Sequence, residues 1–211
     1  MATPMRQARE RDLVVATRAL FDERGMQDAP IEEIAKAVGI ARGLIYRHFS
    51  SKEELFVLTV TDYLAELSGL LDAAVGGAEG AEEQLRAATE AFAGFCARYP
   101  AFLDCSVSLM HRPARELHEI VSESVWLRLG QGMARCVNTL IVVLRSPQLE
   151  VEDPDFMANV LWTQVLGIMH LARSGVGIRQ VAPGVPELFG VSADRAAAMC
   201  VEVALRAVRA S

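Results

Sequence analysis

The sequence predicts an all-α protein of about nine helices, with a three-helix helix-turn-helix domain at the N-terminus followed by a larger helical domain. Apolar residues recur at helical steps of three and four along most of the chain, and no alternating strand pattern accompanies them. Glycine and proline residues interrupt these runs where one helix should end and the next begin. About half of the 211 residues are apolar, which is enough for a sizeable core.

Three helices are predicted in residues 1–56, the first of two predicted domains. Residues 6–24 carry an apolar stripe and end at Gly25, a residue type that often terminates helices. The stretch IEEIAKAVG forms a second helix that ends at Gly39, and IARGLIYRHF resumes a helix within three or four residues. Two short helices joined by so tight a turn must cross at a steep angle. The order of elements therefore indicates a helix-turn-helix.

The second predicted domain, residues 57–211, is helical too. A long helix leads into it from about residue 51, because either Ser50 with Glu53 or Ser51 with Glu54 supplies a capping box. Glycine and proline punctuate the remainder, and residues 175–192 are rich enough in both to predict a loop. Further helices are predicted at about 82–98, 101–111, 114–145, 154–174 and 193–210.

Charge is distributed unevenly along the chain. Residues 1–56 hold nine basic and nine acidic side chains, whereas the whole chain has a net charge of −6. Residues 41–52 contain Arg42, Arg47 and Lys52 and no acid. A small cationic surface on an acidic molecule suits a phosphate-bearing partner, and the acidic remainder discourages indiscriminate binding to nucleic acid. The sequence therefore predicts that double-stranded DNA binds at this surface.

Thirteen residues of the helix-turn-helix segment stand at the spacing of a known family. They are Ala16, Leu20, Phe21, Gly25, Ile34, Ala35, Gly39, Gly43, Tyr46, His48, Phe49, Lys52 and Glu53. On these positions, residues 6–56 resemble the DNA-binding domain of TetR/AcrR-family transcriptional regulators, while the rest of the chain agrees only in length and helical character. The resemblance implies a homodimeric regulator with a small-molecule pocket in its C-terminal domain.

The resemblance assigns roles within the cationic segment. It implies that residues 42–44 face the bases and that Tyr46, His48 and Lys52 contact phosphates. Arginine can donate two hydrogen bonds to guanine O6 and N7, and a glycine removes bulk where backbone approaches DNA. Ile45 and Phe49 should anchor the helix to its own core. The predicted DNA-contacting residues are Arg42, Gly43, Leu44, Tyr46, Arg47, His48 and Lys52.

Three positions depart from the family pattern. Ala29 and Ala41 stand where Ser or Thr is frequent, so the second and third helices should lack side-chain caps, at a cost of about 0.5–2 kcal/mol each. Leu44 replaces a frequent Thr, so an apolar contact replaces a hydroxyl contact. A thymine methyl group would suit this leucine.

The C-terminal domain is predicted to bind a small apolar or amphipathic effector. Its central helices carry many aromatic and methionine side chains and few polar ones, as ligand pockets often do. Plain core packing is the alternative for each of these residues taken singly. The candidate pocket residues are Phe92, Phe95, Tyr99, Phe102, Met110, Trp126, Met133, Trp162 and His170.

Two C-terminal helices are predicted to form a homodimer interface. Residues 154–174 are apolar nearly all round, so this helix should bury more than one face. Residues 193–210 are rich in alanine, which permits close approach of helices. By resemblance, the last two long helices of the family pair with their counterparts in a second copy. Ordinary core helices of a monomer are the alternative.

The remaining sequence features favour a cytoplasmic regulator without a cofactor, a metal ion or a membrane partner. The four cysteines lack Cys-x-x-Cys spacing and are predicted to be reduced and mostly buried. No secretory signal pattern or long apolar run is found. The interpretation that these features favour is a repressor that an effector releases from a palindromic operator. The alternatives are a ligand-independent DNA-binding protein and a helical enzyme with an N-terminal docking module, although no catalytic motif supports the enzyme.

Overall fold

The computed structural model of the protein describes residues 4–25, 30–111 and 113–209. Ten helices and one β-hairpin lie in these ranges, so the helical fold class is confirmed and the hairpin is an addition to it. The helices are α1 (Pro4–Arg24), α2 (Ile31–Ala37), α3 (Arg42–Ile45), α4 (Lys52–Gly76), α5 (Ala81–Arg98), α6 (Pro100–Met110), α7 (Ala114–Ile120), α8 (Glu123–Leu144), α9 (Pro154–Ser174) and α10 (Ala193–Arg209). The strands are β1 (Val176–Ala182) and β2 (Val185–Gly190).

The chain divides into two compact units. Unit 1 comprises the described residues up to Glu66 together with those from Pro100 to Ala134, and unit 2 comprises the others. The division falls inside α4 and α8, both of which are continuous helices. The predicted boundary after residue 56 separates domains by function and stays a prediction.

Unit 1 is held together by packing of α1 against α2 and α6, and of α2 against α3. An ionic cluster joins α1 to α4: the Arg18 guanidinium pairs with Asp62 and Glu66 and lies 4.2 Å from the centre of the Tyr63 ring. The Tyr63 hydroxyl donates to the Asp22 carboxylate at 2.5 Å. Burial of Tyr63 and this bond to Asp22 raise the pKa of the phenol. The cluster thereby fixes α1 on the middle of α4.

Unit 2 is built on α5, α9 and α10, each of which packs against the other two. The rings of Phe92 in α5 and Trp162 in α9 lie 4.3 Å apart in its core. The small side chains of Ala196 and Ala204 are buried in α10. The Gln148 side chain accepts a hydrogen bond from the Ala81 N–H at 2.9 Å and so caps the start of α5.

All four cysteines are free and buried, as predicted. Burial raises the pKa of the Cys105 and Cys136 thiols to about 12 and that of Cys200 to about 11. These thiols are therefore protonated and inert near neutral pH.

The single helix predicted at 114–145 is wrong, because α7 ends at Ile120 and α8 begins at Glu123. Val121 between them is extended, with φ −110° and ψ 154°. Its side chain is buried, and the Ser122 N–H and hydroxyl both donate to the Glu54 carboxylate. A contact 68 residues away in sequence thus interrupts an otherwise helical pattern.

The loop predicted at 175–192 is also wrong, because these residues form the antiparallel hairpin of β1 and β2. Gly184 supplies the positive φ of +76° in its turn. Gly177 lies directly opposite Phe189, and a Cβ on Gly177 would stand only 2.5 Å from the Phe189 ring. This glycine, which suggests a loop in sequence, makes room inside a strand pair for an aromatic ring.

Candidate nucleic-acid interface

Gly39 closes the turn between α2 and α3. Its φ of +70° is a left-handed conformation that glycine adopts without steric cost. The Gly39 N–H donates to the Lys36 carbonyl at 3.1 Å, and the Ile40 N–H donates to the Ala35 carbonyl at 2.9 Å. This pair of bonds is the Schellman arrangement, which satisfies carbonyls at a helix end. The end of α2 at this glycine is therefore confirmed.

The third helix is shorter than the predicted segment 40–49. Regular α-helix covers Arg42–Ile45, and residues 46–48 continue as a turn. The N–H groups of His48 and Phe49 both donate to the Ile45 carbonyl, at 2.8 and 3.0 Å, which tightens this last turn. The predicted lack of a side-chain cap at Ala41 is confirmed. Ala29 lies outside the described residues.

Two apolar side chains anchor this segment in unit 1. Ile45 and Phe49 are 0% and 1% exposed, as predicted. They are four residues apart, so they lie on one face of the helical turn and leave the opposite face free. Burial of this face sets the direction in which the remaining side chains point.

The predicted DNA-contacting residues lie on that free side. Tyr46 is 47% exposed and Leu44 is 36% exposed, which is high for side chains of this size. Only His48 is half-buried. We call the set the recognition surface, and its members are Arg42, Gly43, Leu44, Tyr46, Arg47, His48 and Lys52.

Gly43 has no structural need to be glycine. It lacks a positive φ, and a Cβ built on it would meet no atom of the chain within 4 Å. Glycine in a helix is also less favourable than alanine by about 1 kcal/mol. Its position on the recognition surface therefore fits close approach of something outside the chain.

Arg42 is paired within the chain. Its Nη1 lies 2.6 Å from Oε1 of Glu32 in α2, and both side chains are more than half exposed. An ion pair this exposed is worth about 0–1 kcal/mol. A guanine base or a phosphate can therefore take the guanidinium away from Glu32 at little cost.

The His48 imidazole faces partly inward. Its Nδ1 atom is buried and has no hydrogen-bond partner in the described part of the chain. An unpaired buried nitrogen costs free energy, so some other gain must hold this ring in place. The ring centroid lies 6.4 Å from that of Phe49, next to the apolar anchor.

Glu54 caps two helices at once. The Ser51 hydroxyl accepts the Glu54 N–H at 3.0 Å, which confirms the Ser51 half of the Ser51–Glu54 alternative of the capping box. The Glu54 carboxylate accepts the Ser50 N–H at 2.6 Å, one residue before the N–H that a capping box uses. The other carboxylate oxygen accepts from the N–H and the hydroxyl of Ser122, just before α8. Burial raises the pKa of Glu54, but the hydrogen bonds from Ser122 and Ser50 outweigh it and lower the pKa below its usual value. One carboxylate thus joins the first turn of α4 to the start of α8.

The candidate pocket residues fall into different environments. Phe92, Phe95, Phe102 and Trp162 are buried, and Tyr99 and Trp126 are half-buried. Met110, Met133 and His170 are exposed. Phe92, Phe95, Tyr99, Trp162 and His170 belong to unit 2, and Phe102, Met110, Trp126 and Met133 to unit 1. The pocket therefore stays a prediction.

An open groove of about 470 Å³ lies along α9 in unit 2. None of the candidate pocket residues lines it. We call it the α9 groove, and its lining residues are Phe156, Asn159, Val160, Thr163 and Gln164. In the described ranges no three His, Cys, Asp or Glu side chains converge as a metal site requires. The helices of the same ranges also lack the length and apolar character needed to span a membrane.

Comparison with known proteins finds the same family that residues 6–56 resemble. Residues 13–58 match the model of the bacterial regulatory proteins of the tetR family. MftR of Mycobacterium tuberculosis, a putative mycofactocin biosynthesis transcriptional regulator, is 37% identical over 156 residues, or 74% of this chain and 61% of its own length. The transcriptional activator FasR of Mycolicibacterium smegmatis is 33% identical over 90 residues, or 43% of this chain and 41% of its own length. The chain thus spans less than two thirds of these relatives.

The fold is shared over nearly the whole chain. The crystal structure of RolR in complex with resorcinol superposes with a TM-score of 0.68, at 18% identity, over 96% of this chain and 88% of RolR. At that identity the likeness concerns the fold alone. The helix-turn-helix geometry and the family match lead to one conclusion: residues 13–58 of this chain form a helix-turn-helix domain of the tetR family of bacterial regulatory proteins.

Proposed function

We propose that this protein is a transcriptional regulator whose recognition surface binds the major groove of DNA. The observation that carries the proposal is the orientation of α3 and its following turn, which buries Ile45 and Phe49 and exposes the cationic and donor side chains. In this pose Arg42 and Leu44 meet base edges, while Tyr46 and Lys52 donate to phosphates. His48, half-buried, adds a phosphate contact from the rim.

The protein acts as a homodimer through residues 154–174 and 193–210, of which residue 210 lies outside the described residues. Support comes from α9, which buries one apolar face and leaves Phe156, Val160 and Leu171 exposed on another. A two-fold dimer presents two copies of α3, so the operator is a palindrome with half-sites about 34–36 Å apart or a multiple of that.

A small apolar or amphipathic effector binds among the helices of residues 82–174 and releases the DNA, so the protein acts as a repressor. Its proposed location is the cytoplasm. The resorcinol carried by RolR is an example of such a molecule in a protein of the same fold. The effector need only prefer one of two conformations by about 1–3 kcal/mol to act.

Glu54 and α4 form the route from effector to DNA. α4 begins beside the recognition surface and continues unbroken for 25 residues. Through Glu54, its first turn is hydrogen-bonded to Ser122, the residue just before α8. A shift of α8 therefore changes the hydrogen bonds that fix the first turn of α4, and with it the orientation of α3.

DNA titrations test the proposed surface. Lys52→Ala should weaken binding to all sequences and flatten the slope of log K against log salt by about 0.9 for each lost phosphate contact, or about 1.8 for a dimer that loses one contact in each half-site. Arg86→Ala, which removes a cation from α5 in unit 2, is the matched control and should leave the slope unchanged. Equal slopes for wild type and Lys52→Ala would remove Lys52 from the interface.

The effector proposal has its own test. Trp126 and Trp162 are the two tryptophans of the chain, so a binding ligand should change intrinsic fluorescence without a label. Linkage requires that the factor by which a ligand weakens DNA binding equals the factor by which DNA weakens ligand binding. A ligand that binds equally well with and without a saturating operator duplex is not an effector.

A further inference from the structure

The β-hairpin has two unlike faces. Residues that stand opposite each other in an antiparallel pair project to the same side. On one side Phe189 covers Gly177 and meets the Arg195 guanidinium at 5.8 Å, and Arg179 pairs with Glu187 at 2.5 Å. The chain itself therefore supplies partners for Phe189 and Arg179 on this side, where Val185 beside the turn stays exposed.

The other side is apolar and bare. Ile178 stands directly opposite Leu188, and they are 74% and 65% exposed. Val176 and Pro186 extend the same side along the two strands, and both are exposed. We call these four residues the hairpin face. A two-stranded hairpin is marginally stable in water unless something packs on it, so this face needs a cover.

A second bare apolar surface lies in the same unit. The stripe Phe156, Val160, Thr163, Gly167 and Leu171 follows one side of α9 at steps of four, three, four and four, and all five residues are exposed. Phe156, at 68%, is among the most exposed large side chains of the chain. The stripe carries no charge. The exposed side of α10 differs, because it presents Arg195, Glu202, Arg206 and Arg209.

We propose that the hairpin of each copy reaches across the dimer and lays its hairpin face on the α9 groove of the partner. The inference rests on the proposed dimer and identifies a part of its interface. Both surfaces are apolar and uncharged, both stay uncovered by their own chain, and both belong to the segment 154–190. A second copy of this chain supplies one of each, so a single two-fold operation covers all four surfaces.

The distribution of side chains on α9 gives the direction of the pairing. Thr163 and Gly167 lie near the middle of this helix, which is about 31 Å long at a rise of about 1.5 Å per residue. A Cβ on Gly167 would meet nothing within 4 Å, so the middle leaves room for close approach of a second helix. Two copies of α9 that cross there in opposite directions place the end of one at the start of the other. The hairpin, which begins at Val176, then emerges beside the partner's Phe156.

Crosslinking tests the placement in the full-length protein. The double variant Gln180→Cys/Asn159→Cys puts one thiol on the hairpin's apolar side and one in the α9 groove without touching the apolar residues of either surface. With a short bismaleimide it should form a covalent dimer on a denaturing gel. The four native cysteines are buried and give little background. Arg179→Cys/Asn159→Cys, with its thiol on the opposite side of the hairpin, is the matched control and should crosslink poorly.

Three results would overturn the placement. They are absence of a covalent dimer, equal yields for the two double variants, and a covalent dimer from Gln180→Cys alone, since the last means that the two hairpins meet each other instead of the groove.

Sedimentation of variants with charged side chains on the hairpin face tests how much this face contributes to dimerisation. Ile178→Asp/Leu188→Asp should weaken dimerisation roughly tenfold or more, because two apolar side chains leave the interface. Glu187→Gln, on the opposite side of the same strands, should dimerise as wild type does. If the wild-type chain is a monomer, the proposed dimer itself fails. If the wild type is a dimer and the Asp variant dimerises equally well, the dimer stands and the hairpin exchange is refuted.

Discussion

The recognition surface and the hairpin face are both left exposed, but they differ in chemistry. The recognition surface presents Arg42, Arg47 and Lys52 and no acid, whereas the hairpin face presents aliphatic side chains and no charge. Charged groups stay hydrated when unbound and bind a partner reversibly, in a manner that salt controls. Apolar groups gain most from staying covered. The first surface thus suits DNA that comes and goes, and the second suits a permanent partner chain.

The two surfaces also differ in how their own chain supports them. The recognition surface rests on Ile45 and Phe49, both buried in unit 1, and on the two-helix cap at Glu54. The hairpin has one buried position, Gly177, along its two strands. We therefore expect the recognition surface to be formed in the free monomer, and the hairpin to depend on its partner.

Removal of the buried anchor should have the largest effect. Phe49→Ala should lower the free energy of unfolding by about 3–5 kcal/mol, because it leaves a cavity under the recognition surface. Leu44→Ala, which truncates an exposed neighbour, should change it by less than about 0.5 kcal/mol. Denaturant unfolding measures both. Similar values for the two variants would mean that this segment is not anchored as described.

Loss of the double cap should come next. Glu54→Ala removes the acceptor for Ser50 and Ser122, so it should cost about 1–4 kcal/mol, the sum of two lost caps. Glu53→Ala, in the same turn of α4, is the control and should cost much less.

The Glu54 contribution should also depend on pH. Because the folded-state pKa of Glu54 is lowered, its stabilisation is complete above the unfolded-state pKa of about 4.3 and is lost as pH falls through the folded-state value. Wild type and Glu54→Gln should therefore converge in stability in acid. A constant difference between them from pH 7 down to acid would contradict the assigned hydrogen bonds.

Arg42→Ala should cost about 1–3 kcal/mol of DNA binding and relax the preference at one base pair. Binding to a set of single-base operator variants measures this. If the ranking of the variants is unchanged, Arg42 does not contact a base.

The smallest effect should follow from freeing Arg42. Glu32→Gln breaks an exposed ion pair worth up to about 1 kcal/mol, so DNA binding should tighten by up to about fivefold at low salt. Glu33→Gln changes the net charge equally, but Glu33 pairs with Arg24, so it serves as the control. Equal tightening by both variants would mean that net charge, and not release of Arg42, is the cause.

The same two regions show what sequence alone can predict. The helix-turn-helix was predictable because its signals are local: Gly39 ends α2, and Ile45 and Phe49 repeat at helical spacing. Its residual error, the shortened α3, comes from a turn in which two N–H groups share the Ile45 carbonyl. No composition rule encodes such a turn.

The hairpin and the break after α7 were missed because each depends on a contact that residue type alone does not show. Gly177 looks like a loop residue until Phe189 is placed over it, and Ser122 looks helical until Glu54 accepts its N–H. The exposed apolar side chains of the hairpin also lack the inward-facing pattern by which strands are identified. If they are buried in a dimer, a single sequence can show that pattern only once the partner is included.

Selection of bound sequences from random DNA by the wild-type protein tests the central claim most directly, because the result depends on both the recognition surface and the proposed dimer. We expect an enriched palindrome, since two copies of the recognition surface are held by one two-fold dimer. Its half-sites should lie about 34–36 Å apart or a multiple of that. Enrichment of a single half-site, or of no sequence at all, would contradict it.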